Sequence, residues 1–96
     1  MRAVELEAVV REAVNHILSR HVGSVASLSY RKVRRLLVLD DESPLPEGVV
    51  LHIVTYFLKS LSGRVIYDSA GRAWRLSRVY LASNGHYRYV FERVSM

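Results

Sequence analysis

The chain has no cysteine and no glutamine among its 96 residues, and asparagine occurs only at Asn15 and Asn84. The missing thiol excludes a disulfide framework, a thiolate nucleophile and any cysteine-based zinc or iron–sulfur site, and it suits a reducing compartment. Scarcity of the thermolabile amides leans towards a thermophilic source. Long apolar runs are also lacking, since every hydrophobic stretch is too short or too interrupted to span a bilayer. The opening MRAVELEAVV lacks the basic, then continuously apolar, pattern of a secretion signal. The chain is therefore read as mature protein from Met1 with a cytoplasmic location, nucleoid-associated if it binds DNA. Neither an internal repeat nor a low-complexity tract interrupts it.

What is present points to one folded α+β domain spanning residues 1–96. Half the residues are apolar, which excludes a disordered chain and allows a modest core without staples. Leu6, Val9, Val10, Ala13, Val14, Ile17 and Leu18 fall at helical spacing and predict a first helix from about Ala3 to His21, ended by Gly23. Ser24 to Leu28 fits a loop or one small strand. Ser29 then caps a predicted second helix from Tyr30 to about Leu39, with Tyr30, Val33, Leu36 and Leu37 on one side. Pro46 suits the first turn of a third helix running to Leu61, whose buried face is Val50, Ile53, Val54, Phe57 and Leu61.

After Gly63 the sequence turns to aromatic and β-branched residues, and Arg64 to Tyr67, Ala73 to Leu81 and His86 to Val94 read as strands. Asp68-Ser69-Ala70-Gly71 and Asn84-Gly85 are the turns between them. A two-residue turn at Asn84-Gly85 places Tyr80 opposite Tyr89 and Val79 opposite Val90. The expected fold is therefore three N-terminal helices followed by a small antiparallel sheet of two to three strands.

Three helices, the second and third joined by a short turn, followed by a glycine-closed hairpin, resemble a winged-helix domain. The resemblance covers about residues 3–78 and leaves an extra strand or hairpin at about 78–94. It implies that the third helix, Pro46 to Leu61, faces a DNA groove, with His52, Thr55 and Lys59 directed towards it. It also implies that a wing from Arg64 to Ser77, with its tip at Asp68 to Arg72, lies along the backbone. The stripe Gly48, His52, Thr55, Lys59 and Ser62 carries one permanent cation, which does not favour sequence readout through arginine and guanine.

Twelve arginines and two lysines against nine acids give a net charge of +5. Arg31, Lys32, Arg34 and Arg35 cluster at the start of helix two, and Asp40, Asp41, Glu42 and Glu47 follow its end. That order opposes the macrodipole, and two readings answer it. Either the cations and the free amides of the helix start hold a phosphate, or Arg34 or Arg35 reaches Asp40, Asp41 or an acid of helix one. With Arg72 and Arg75 on the wing, the first reading gives non-specific backbone contact. Tyr87, Tyr89 and Phe91 share one strand face, open either to base stacking or to core packing, and Trp74 has the same two fates.

Catalytic patterns are absent from the sequence. His16 and His21 diverge by about 140° on a helix, His52 and His86 stand alone, and no phosphate loop, nucleophile elbow or zinc spacing occurs. No enzyme activity, cofactor or metal is expected. The leading expectation is a nucleic-acid-binding protein, with double-stranded DNA ahead of RNA, using Arg31, Lys32, Arg34, Arg35, His52, Thr55, Lys59, Arg72 and Arg75. The other is a protein-interaction subunit of a replication, transcription or RNA-processing assembly, with a partner protein or a second copy meeting the C-terminal strands.

Overall fold

The computed structural model describes residues 3–37 and 45–94. The elements run α1 (Ala3–Arg20), β1 (Val25–Ser29), α2 (Tyr30–Leu36), α3 (Glu47–Ser60), β2 (Val65–Tyr67), β3 (Ala73–Leu81) and β4 (Tyr87–Arg93). The fold is α+β with three helices, as the sequence implies, but two details differ. The antiparallel sheet has four strands in the order β1-β4-β3-β2, and β1 lies between α1 and α2, so the helices do not all precede the sheet.

The segment that fits either a loop or a strand is a strand because Ala26 and Leu28 alternate into the core while β4 offers it a pairing edge. Its register runs from Val25 opposite Glu92 to Ser29 opposite Arg88. The segment beyond Arg78 is consequently no appendage. β3 runs through that residue, and β4 is an interior strand whose Tyr89 and Phe91 are buried.

α1 buries Leu6, Val10, Val14 and Leu18, α2 buries Val33, and α3 buries Val50, Val54, Phe57 and Leu58. They close on Leu28, Trp74, Leu76, Tyr89 and Phe91 from one side of the sheet. Burying such side chains contributes about 1.5–3 kcal/mol each, which holds all three helices on this side. The core fate of Trp74, Tyr89 and Phe91 is thereby decided.

α2 is shorter than the spacing predicts. It ends at Leu36, and the Leu37 N–H turns back to the Arg34 carbonyl at 3.2 Å. Arg34 and Arg35 therefore lie in its last turn, where the macrodipole favours cations, and the expected conflict disappears for that pair. Asp40, Asp41 and Glu42 lie outside the described residues. α3 matches its predicted span, with Pro46 as N-cap and Glu47 in the first turn.

The hairpin register also differs by one residue. Val79 stands opposite Tyr89 and Tyr80 opposite Arg88. The Ala82 N–H bonds to the His86 carbonyl and the Gly85 N–H to the Ala82 carbonyl, so the loop has three residues, with Gly85 at φ +83°. A three-residue loop closes on a left-handed glycine at its last position, and so uses Gly85 differently from a two-residue Asn-Gly turn. Ser77 is skipped in the pairing between Leu76 and Arg78, a bulge that keeps Trp74, Leu76 and Val79 on the core side.

Candidate functional site

The helical spacing that aligns Gly48, His52, Thr55 and Lys59 turns this stripe towards β4. Between α3 and the β3–β4 hairpin lies a groove of about 470 Å³, with Gly48, Leu51, His52 and Thr55 on one wall and His86 and Tyr87 on the other. The Lys59 ammonium sits 4.6 Å from the centre of the Tyr87 ring, a cation–π contact that ties the helix to the strand. Burial raises the Tyr89 phenol, against the pull of a hydrogen bond with Thr55.

Tyr30 forms the end of the groove and is fixed by a clamp between α2 and α3. Its hydroxyl donates to Glu47, and Arg34 reaches the same carboxylate through Nε at 2.9 Å and a second nitrogen at 3.3 Å. Burial, then the Glu47 hydrogen bond, push the Tyr30 phenol up to about 12. The hydrogen bonds from Arg34 and Tyr30 hold the Glu47 carboxyl below the usual carboxylate range. Arg34 is thus engaged internally, though by Glu47 rather than by Asp40, Asp41 or an acid of helix one, and does not join a free phosphate-binding set.

A small cleft adjoins the groove at Tyr30 and His86 and is lined by Ser29, Arg31, Asn84 and Arg88. This brings the start of α2 against the β3–β4 tip, which the Asn84 side chain braces by accepting from the His86 N–H at 3.1 Å. Neither Arg31 nor Arg88 has a carboxylate partner among the described residues. No family model, curated protein or solved structure matches the chain.

Four of the predicted site residues, Arg31, His52, Thr55 and Lys59, surround this connected groove and cleft. Others do not. Arg72 lies on the other hairpin and is consumed by the fold: its Nε bonds Asp68 at 3.1 Å, and a terminal nitrogen bonds the Leu18 and Ser19 carbonyls at 3.1 and 2.6 Å. Those carbonyls belong to the last turn of α1, which lacks intrahelical donors there. The expected wing tip at Asp68 to Arg72 is therefore a helix cap, and the hairpin beside α3 is β3–β4.

Arg75 lies on the opposite side of the sheet, paired with Val65 and Glu92 in register. Lys32 is exposed and donates from Nζ to the Ser27 carbonyl at 2.8 Å, covering part of the β1 edge. The Ser29 hydroxyl accepts from the Lys32 N–H at 3.4 Å, so the seven-residue α2 fills part of its own amide start. Arg35 is exposed without a carboxylate partner among the described residues.

Sequence reasoning missed Tyr30, His86, Tyr87 and Arg88 as lining residues. The Asn84-Gly85 signal marked their hairpin, but not which of two hairpins packs beside α3. Among the described residues, no group of three metal-ligating side chains converges and no helix is long and apolar enough to cross a membrane.

Proposed function

We propose that the protein binds double-stranded DNA without catalysis, seating the sugar–phosphate backbone along the groove between α3 and the β3–β4 hairpin. The observation that carries this reading is the meeting of Arg31 and Arg88, from α2 and β4, at one cleft with the exposed Asn84 and His86 tip. Lys59 and His52 extend the polar edge along α3. The winged-helix resemblance is retained with one change: the wing is β3–β4, from residue 73 to 93, because that hairpin flanks α3. The charge-poor face of α3 supports backbone holding rather than base readout.

Fluorescence anisotropy with a blunt duplex across a salt series tests the reading. Contacts from Arg31, Lys59 and Arg88 give a slope of log affinity against log salt of about −3, at about 0.9 per neutralised phosphate. Arg31→Glu with Arg88→Glu should lower affinity at least a hundredfold at low salt without lowering the melting temperature. Unchanged duplex affinity in that folded double variant rejects the assignment.

Exposure of Val49, Leu51 and Tyr56 on α3 favours a second reading, a subunit that docks an apolar partner protein. Size-exclusion chromatography with and without duplex DNA separates the two. Co-migration at low salt that disappears at moderate salt supports DNA binding, whereas a chain that ignores DNA supports the docking subunit.

A further inference from the structure

All three helices cover one side of the sheet, and among the described residues no element covers the other side. Strand alternation places Arg75, Arg78 and Tyr80 of β3 on this outer side, beside Arg88 and Val90 of β4. Tyr67 and Val65 of β2 continue it at one edge and Val25 of β1 at the other. Tyr67 is 54% exposed and Tyr80 40%. The Arg78 guanidinium lies 4.7 Å from the centre of the Tyr80 ring.

Three features of this face need a partner of a particular chemistry. Among the described residues, three arginines stand on it against the single carboxylate of Glu92, and none of the three has an ion-pair partner. Its two tyrosines present ring area on strands β2 and β3, separated by cations rather than by other rings. The bulge at Ser77 reverses the alternation along β3, so Arg78 and Tyr80 share the outer side with Arg75. An alternation of aromatic faces and guanidinium groups on an exposed sheet face suits a strand of unpaired bases, whose rings stack while its phosphates meet the cations. A duplex, with its bases turned inward, offers nothing to Tyr67 and Tyr80.

We propose that the open sheet face, through Arg75, Arg78, Tyr80 and Tyr67, is a second binding surface that takes single-stranded nucleic acid. Among the described residues it meets the duplex-binding groove only at Arg88, which lines the cleft and stands opposite Tyr80. A strand leaving a duplex in the groove passes over the hairpin onto this face, so the protein is suited to junctions of duplex and single strand. The single-strand surface stands on its own geometry, and only the junction reading rests on the duplex-binding groove.

The test uses anisotropy with a labelled oligothymidylate of about 15 nucleotides, long enough to fill one domain's surface, and a blunt duplex of similar length. The expected result is salt-dependent binding of the oligothymidylate by the unaltered protein. Arg75→Ala with Arg78→Ala should weaken it and reduce the salt slope by about 1.4, at about 0.7 per lost single-strand phosphate contact, while leaving the duplex affinity in place. Tyr80→Ala should cost about tenfold with the slope unchanged, and Tyr80→Phe, which keeps the ring, should restore the affinity.

The proposal is overturned if the unaltered protein ignores the oligothymidylate, or if the double alanine variant binds it equally well. It is also overturned if Tyr80→Ala has no effect, or if polyglutamate displaces the oligothymidylate as well as an unlabelled strand does, since that marks an acidic protein partner. Circular dichroism melting confirms that each variant folds. Oligothymidylate binding without duplex binding rejects the groove reading and upholds this one.

Discussion

The two hairpin turns share one backbone and differ in everything else. At 68–72 and at 82–86 the first residue's N–H bonds to the last residue's carbonyl, and a glycine sits left-handed at the fourth position, Gly71 at φ +82° and Gly85 at φ +83°. Yet Asp68 is buried, and its two oxygens accept from the Ala70 and Arg72 N–H groups, from Arg72 Nε and from Trp74 Nε1 at 2.8 to 3.1 Å. The matching position of the other turn is Ala82, and its tip meets solvent beside Arg31 and Arg88. Equal turn geometry therefore says nothing about role. One turn is welded to the end of α1, and the other is free to meet a ligand.

The largest effect expected from this contrast is on Asp68. Asp68→Ala strands the buried Trp74 N–H and leaves the Arg72 guanidinium without its carboxylate, and should cost about 3 kcal/mol in urea unfolding. A loss below 1 kcal/mol breaks the comparison. Burial alone raises the Asp68 carboxyl, but the hydrogen bonds from Trp74, from the Arg72 and Ala70 backbones and from the Arg72 side chain lower it below the usual range. The sign follows from linkage: stability is fully present above the unfolded pKa of about 3.9 and is lost as pH falls through the lower folded value. Asp68→Asn should remove this acid sensitivity.

Next in size is the exchange of arginine roles. Arg72→Ala should lower stability by about 2 kcal/mol, since hydrogen bonds to a carboxylate and to two helix-end carbonyls vanish, and should leave duplex affinity alone. Arg88→Ala should do the reverse, weakening the duplex about tenfold with little change in melting. Reversal of this pattern returns the wing to the 64–77 hairpin. The two glycines sharpen the contrast further: Gly71→Ala and Gly85→Ala should each cost about 1 kcal/mol for the left-handed backbone, with affinity changing only at Gly85.

The smallest effect concerns the clamp that sets the groove's end. Because the folded Tyr30 phenol is raised, its contribution is present below the unfolded value and disappears as pH climbs through about 12. Glu47→Gln should move the ultraviolet titration of that phenol back towards its ordinary range while barely altering stability, because the Arg34–Glu47 pair is solvent-exposed.

Much of this arrangement was legible in the chain. Periodicity located α1 and α3, because a helix that buries one face must repeat its apolar residues, and the stripe from Gly48 to Lys59 faced one neighbour for the same reason. Glycines at 71 and 85 marked both turns, since few other residues accept that backbone. The alternation of Tyr87, Tyr89 and Phe91 defined one strand face but not its destination, which depended on where α3 came to rest. Ser24 to Leu28 was too short for its period to decide between loop and strand.

By itself, then, the sequence determined α1 and α3, the three strand segments after Gly63, the turn positions and the surplus of arginine, all of which are properties of neighbours along the chain. Tertiary structure alone decided which cations are spent: Arg34 on Glu47, Arg72 on Asp68 and the end of α1, with Arg31 and Arg88 left to face solvent together. Charge acts through space over a few ångströms, and partners that distant in sequence become neighbours only when β1 pairs with β4 and the helices close over one side of the sheet.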